Sequence, residues 1–203
     1  MVGMGIGLGI GLNSGRGKAP TVQDQQPLAL SILLQTELLS IRDRSNEGAI
    51  VQAIAIPWIA LYEALKSNPK LIFEFSNSPD KFEEFIAASY QREGWDRVVL
   101  TPRSGDGGRD VIAEKGGFGA IRILDQCKAF SAGHLVNQND VRAMLGVLHS
   151  DNNASKAVIS TSSDFAPSIR TDPDFTKYMP NRLELRNGAN VMEWLSTIRS
   201  KDI

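Results

Sequence analysis

Between Arg97 and Lys128 three short runs, RVVLT, RDVIA and AIRILDQCK, follow one another, and one glycine-rich turn, SGDGG, separates the first two. Runs this short, rich in Val and Ile and bounded by turn residues, read as strands. They are flanked by segments with a different period. From Pro79 to Glu93, Phe82, Phe85, Ile86, Ser89 and Tyr90 fall on one helical face, and Gly94 is placed to end the helix. From Asn139 to His149, Val141, Met144, Leu145 and Leu148 repeat at helical spacing. KAVIST (Lys156 to Thr161) reads as a fourth strand, RLELR (Arg182 to Arg186) as a fifth, and Asn190 to Arg199 as a closing helix. A helix, a hairpin-like meander, a helix, a strand and a terminal helix make an α/β arrangement with a mixed sheet.

The part before residue 76 is expected to be different. Residues 1–19, MVGMGIGLGIGLNSGRGKA, alternate Gly with Met, Ile and Leu, a density of glycine that disfavours a helix. They read as a flexible tail. Positive charge follows the apolar stretch, the reverse of a signal peptide. Residues 20–75 read as a helical extension. One helix is expected over Pro27 to Arg44, and a more apolar one over Glu47 to Lys66 with a break near Pro57. Gln52, Pro57 and Glu63 interrupt the second stretch, and its apolar part falls short of the ~20 residues a membrane span needs. Two apolar helices exceed what a small domain needs to cover itself, which predicts a homodimer.

The polar residues of the meander carry the chemistry. Asp110 opens the second strand, and Gln126 and Lys128 stand two apart on the third, where side chains share a face. If those strands are neighbours, the three meet. Asp, Gln and Lys set among Val111, Ile112, Ile121, Ile123 and Leu124 cost free energy unless they are paired or used. A phosphodiester is cleaved by an activated water on a polarised phosphate. An Asp carboxylate and a Gln carbonyl are hard oxygen ligands suited to Mg²⁺, and a Lys beside them orients water or stabilises phosphate charge. Glu83 or Glu84 on the preceding helix can complete the site from above. With one cysteine, Cys127, and two histidines, His134 and His149, a Cys- or His-rich metal site is excluded. Asp106 either binds a second metal or caps the turn. Asp125 and Cys127 fall on the opposite strand face, Cys127 as a small buried residue.

The strings FEEFIAASYQREGW, TPRSGDGGRDVIA, ILDQCKAF, DVRAMLGVL and AVISTSSDFAP together resemble the Mrr-like restriction endonucleases, a branch of the PD-(D/E)xK nuclease superfamily. The resemblance runs from about Pro79 to Leu195. It implies a restriction-endonuclease-like mixed β-sheet flanked by helices, occupying 76–203, and metal-dependent hydrolysis of DNA in restriction or defence. Position by position it makes Glu83 the helix acid, Asp110 and Gln126 the metal ligands and Lys128 the fourth catalytic residue, with Mg²⁺ as cofactor and Mn²⁺ able to substitute. Gln126 stands where the wider superfamily has an acid. The expected home is the cytoplasm.

A formal net charge of -1 excludes DNA binding by bulk charge and requires a local basic cleft. Arg103, Arg109 and Arg122, with Arg97 and Lys115, crowd the strands around Asp110 and are expected to meet phosphates. Ser162, in the STSSD run, is expected to contact a phosphate or cap the following turn. Two rival readings share the fold: a non-catalytic DNA-binding or interaction module, and a structure-specific repair nuclease.

Overall fold

The computed structural model describes residues 31–102 and 107–200. The expected tail at 1–19, Arg103 and Asp106 lie outside them. Seven strands form one sheet in the order β1-β2-β3-β4-β5-β7-β9. They are β1 (Leu39–Ser45), β2 (Gly48–Ala53), β3 (Arg97–Leu100), β4 (Val111–Lys115), β5 (Ile121–Lys128), β7 (Lys156–Thr161) and β9 (Leu183–Arg186). The first five pair antiparallel in sequence order. β5, β7 and β9 are parallel. Two short strands, β6 (Leu135–Val136) and β8 (Asp164–Phe165), form a separate parallel pair.

Alternation along each strand sorts the core into two layers. Val98, Val111, Ala113, Ile123 and Val158 face helices α1 (Ala55–Ser67), α2 (Pro79–Glu93) and α5 (Gly188–Ser200), meeting Trp58, Leu61, Phe82, Phe85, Ile86, Val191 and Leu195. Val99, Ile112, Leu124, Ala157, Ile159 and Leu183 face helix α3 (Gln138–Ser150) through Val141, Met144, Leu145 and Leu148. A short helix, α4 (Pro173–Thr176), adds Phe175 to that layer. The sequence reading of α2 holds to the residue, with Gly94 closing it at φ 99°. That of β7 also holds, and β3, β4, β5, α3, β9 and α5 differ from expectation only at their ends.

The region before residue 76 corrects the expectation. Within the helix expected over Pro27 to Arg44, backbone is helical only at 31–35 among the described residues, and Leu39–Ser45 is a strand. Gly48–Ala53, expected as helix, is its hairpin partner. The helix begins only at Ala55 and runs unbroken past Pro57. Pro57 is tolerated because the first-turn N–H groups have no intrahelical acceptor. The hairpin joins the main sheet through Ala49 opposite Leu100 and Ile50 opposite Val99.

The apolar surplus that predicted a homodimer is consumed internally. Trp58, Leu61 and Leu65 are fully buried under the sheet. Trp58 stacks on Tyr62 and donates from Nε1 to the Ser89 hydroxyl on α2 at 2.9 Å. The large apolar side chains left exposed among the described residues are Ile32, Ile41, Ile56, Phe118, Ile121 and Leu135. No helix among the described residues is long and apolar enough to cross a membrane.

Gly48 fixes how closely the hairpin lies against β3. Its φ is 146°, and a Cβ there would sit 2.3 Å from the Leu100 carbonyl oxygen. Gly48→Ala is therefore expected to lower unfolding free energy by at least about 2 kcal/mol, the range of strain and overpacking costs. Chemical denaturation measures it. A variant as stable as the parent would mean that the hairpin contributes little to the folded unit.

Candidate active site

Asp110 precedes Val111, and Val111 is opposite Asp125, so Asp110 arrives beside Gln126 at the end of β4. Its amide donates to the Asp125 carbonyl at 2.9 Å. Its Oδ2 accepts the Cys127 amide at 2.7 Å. The carboxylate is thus pinned to the last residues of β5 from both ends. The turn that delivers it is held by Thr101, whose Oγ1 donates to the Arg109 and Asp110 carbonyls at 2.7 and 3.2 Å. Gly108 presses the turn on α3: at φ 81°, a Cβ would lie 2.9 Å from Val147 Cγ2.

Gln126 and Lys128 share the α3 face of β5, as the two-residue period requires. Gln126 Oε1 is buried and has no hydrogen-bond partner among the described residues. Such an orphaned acceptor costs about 1–3 kcal/mol and asks for a use. Lys128 Nζ stands 3.6 Å from Oδ1 of Asp140 on the first turn of α3. Oδ2 of that Asp caps the helix by accepting the Asn137 amide at 3.0 Å, completing a capping box. Asp140 is a member of this site that the sequence reading missed. Its local signal was the N-x-x-D spacing at the helix start.

The two glutamates of α2 separate. Glu84 is bonded to Lys81, which also donates to the Thr36 carbonyl. Glu83 is close enough to the end of β5 to act on Cys127. Burial, then the charges of Asp125, Asp110 and Glu83, push that thiol well above its ordinary value. Asp125 is fully buried on the α2 face, as the strand period predicted. It accepts from the Tyr90 hydroxyl at 2.9 Å, the Ser160 hydroxyl at 2.8 Å and the Ser160 amide at 3.2 Å. Burial raises its carboxyl to about 6 against the opposing charge of Arg186, 3.9 Å away. Asp125 clamps β5 to β7 and α2 directly behind the Asp110–Gln126 pair.

The oxygens fit a Mg²⁺-like ion. Among the described residues no three His, Cys, Asp or Glu side chains converge as a metal site. One carboxylate, one amide carbonyl with an unused lone pair and a nearby second acid are a thin, all-oxygen set. That suits an ion that keeps several waters and takes further ligands from a phosphate.

A family model described as restriction endonuclease, Mrr_cat, matches residues 76–195, more than half of the chain. This chain belongs to that restriction endonuclease family. The fold agrees: the restriction endonuclease FokI superposes with a TM-score of 0.51 at 11% identity, covering 74% of this chain and 29% of its own. Two further solved structures are similar at lower scores. The MspJI restriction endonuclease in complex with a 27-mer oligonucleotide has a TM-score of 0.39 at 18% identity, with 95% of this chain and 35% of that one covered. The DNA modification-dependent restriction endonuclease AspBHI has a TM-score of 0.47 at 17% identity, with 80% and 44% covered. The chain spans less than half the length of each. No curated protein matches it.

Three of the arginines expected to meet phosphates lie in ion pairs. Arg122 is 12% exposed and bonds Glu47, Glu114 and Asp151, the last at 3.0 Å. Burial opposes its charge, but these three carboxylates raise its pKa above the ordinary arginine value. Arg97 bonds Glu114 at 2.7 Å and approaches Glu47 at 3.4 Å. Arg109 reaches the same Glu47 at 3.9 Å. Arg122 is thus a scaffold residue, four positions before Gln126 on β5, and Arg109 is a looser member of the same cluster. Ser162 is also structural: 1% exposed, it donates to the Phe130 carbonyl and accepts the Phe130 amide, both at 2.7 Å.

Proposed function

We propose that this chain is a metal-dependent endodeoxyribonuclease that hydrolyses phosphodiester bonds of foreign DNA in the cytoplasm, with Mg²⁺ as its ion and Mn²⁺ able to substitute. The observation that carries the proposal is the buried Gln126 Oε1, unpartnered among the described residues, beside the Asp110 carboxylate, with Lys128 on the same strand face. The bound ion would lower the pKa of a water and polarise the scissile phosphate. Asp110 and Gln126 supply the oxygens that hold it, and Glu83 adds negative charge from α2. Lys128 orients the attacking water or neutralises charge on the phosphate, and Asp140 holds its ammonium at the level of the site until DNA arrives. Asp125, on the far face, keeps β5 and β7 in register beneath these groups.

Supercoiled plasmid is the first substrate to try, with Mg²⁺, Mn²⁺ or EDTA, beside the Asp110→Ala variant. Nicking or linearisation in either metal, absent in EDTA and in the variant, is the expected result. The thin acid complement favours a second reading, a DNA-binding module without catalysis. DNA binding with no cleavage in either metal would establish that reading instead. Cleavage of branched DNA alone would move the protein from defence to repair.

A further inference from the structure

We propose that Arg42 and Arg44 on edge strand β1 are phosphate contacts that hold duplex DNA beside the Asp110–Gln126 centre. The inference rests on the functional reading above and adds where the DNA lies. A chain of net charge -1 must bind DNA through a local patch. Three of the cations expected to form it, Arg97, Arg109 and Arg122, are committed to Glu47, Glu114 or Asp151. Arg42 and Arg44 are different. Residues 40–44 are exposed, and neither arginine has a carboxylate within ion-pair distance among the described residues.

The register places Arg44 one row from the site at the same end of the sheet, on the α2 face that Asp125 shares. A duplex therefore meets both Arg44 and the α3-facing Gln126 only across the end of the sheet, and Arg42 sits at the register shift. Arg44 is opposite Ala49, Ala49 opposite Leu100, Leu100 opposite Val111 and Val111 opposite Asp125. Asp110 and Gln126 are the next residues at that end. Three strand spacings separate Arg44 from the Asp110 strand, roughly 14 Å at about 4.8 Å each. Along one DNA strand that is about four phosphates at 3.4 Å apiece, a span a duplex lying across the end of the sheet covers without bending.

The same strand resists a second copy of itself. Antiparallel self-pairing about Asp43 would set Arg42 against Arg44 of the other chain, and like charges directly opposite are destabilising. The register shift between Ile41 and Asp43 also interrupts the edge. Asp43 turns its Oδ1 to the Arg44 amide at 2.8 Å, leaving both guanidinium groups for a polyanion.

The test is the salt dependence of binding to a 30-base-pair duplex, measured by fluorescence anisotropy in EDTA for the parent, Arg42→Ala/Arg44→Ala and Arg42→Lys/Arg44→Lys. Each phosphate contact contributes about 0.9 to the slope of log affinity on log salt. The alanine pair is expected to flatten the slope by about 1.8 and weaken binding at least tenfold near 0.1 M salt. The lysine pair should keep the parent's slope. An unchanged slope in the alanine pair overturns the inference while leaving the nuclease reading intact. A parent that binds DNA but never cleaves overturns the nuclease reading and leaves the slope comparison decisive here. A parent that binds no duplex at any salt overturns both.

Discussion

Lys128→Ala is expected to lower the plasmid cleavage rate by about a thousandfold at saturating DNA and metal, with DNA affinity changed by less than about threefold. Removal of a single preorganised group facing transition-state charge costs a factor of about 10² to 10³, and general acid–base assistance is worth a further comparable factor where the same group supplies both. Lys128 sits where either role is open to it. Its strand position puts it on the face of Gln126, and its backbone is fixed by Thr161 Oγ1 and the Ser162 amide on its carbonyl, at 2.7 and 3.2 Å. Because the side chain's one ion-pair contact among the described residues is Asp140 at 3.6 Å, truncation leaves the fold intact. Lys128→Arg should recover part of the rate if the need is for positive charge, and none if a proton must be moved, since a guanidinium does not deprotonate. A folded Lys128→Ala enzyme with the parent's rate would remove this residue from the mechanism.

The residues of this site were legible because they break a local rule. Asp110, Gln126 and Lys128 are polar groups beside strand positions such as Val111, Ile112, Ile123 and Leu124 that are apolar, and the two-residue period alone puts Gln126 and Lys128 on one face and Asp125 on the other. Helix α2 was legible from its period and its Gly94 stop. The β1–β2 hairpin was not. Its apolar residues were dense enough to match a helical stripe, and the pairing that makes it a strand comes from β3, some fifty residues away. One local clue was available: Pro57 belongs in the first turn of a helix, so everything much before it had to be something else. The partners of Arg122 and Ser162 were not legible for a related reason. Basic or hydroxyl side chains near an active-site strand look alike in a sequence whether they face solvent or a partner. Glu47 is 75 residues from Arg122, and Phe130 is 32 from Ser162. Only the folded chain brings them together.

Arg122→Ala supplies the contrast to Lys128, because its effect is expected in stability and not in chemistry. Removing the guanidinium strands Glu47, Glu114 and Asp151 around one partly buried point. Breaking a buried ion pair from one side costs about 3–5 kcal/mol. Here the carboxylates keep some access to water, and Arg97 still reaches two of them, so about 2–3 kcal/mol is the expected loss. In a chain of this size that lowers Tm by roughly 5–10 °C. The pH dependence has a definite sign. The hydrogen bond from Arg122 holds the Glu47 carboxyl below its ordinary value. Asp151 is also lowered: burial raises it most, but the Arg122 bond, the Asn153 amide and the charges of Arg122 and Arg109 together outweigh burial. Groups whose pKa falls on folding contribute stability that is present above their unfolded values, near 4, and lost as pH drops through the folded ones. The gap between parent and variant is therefore widest at neutral pH and narrows below about pH 4. Thermal unfolding from pH 3 to pH 7.5 measures it, together with cleavage well below the variant's Tm, where KM for DNA should stay within about threefold of the parent's. A KM raised tenfold with Tm unchanged would return Arg122 to the DNA and dissolve its place in the scaffold. The expected pair of results, Lys128 silent in stability and Arg122 silent in DNA binding, would separate two cations on the same face of one strand into chemistry and support, with the three residues of β5 between Arg122 and Gln126 setting the division.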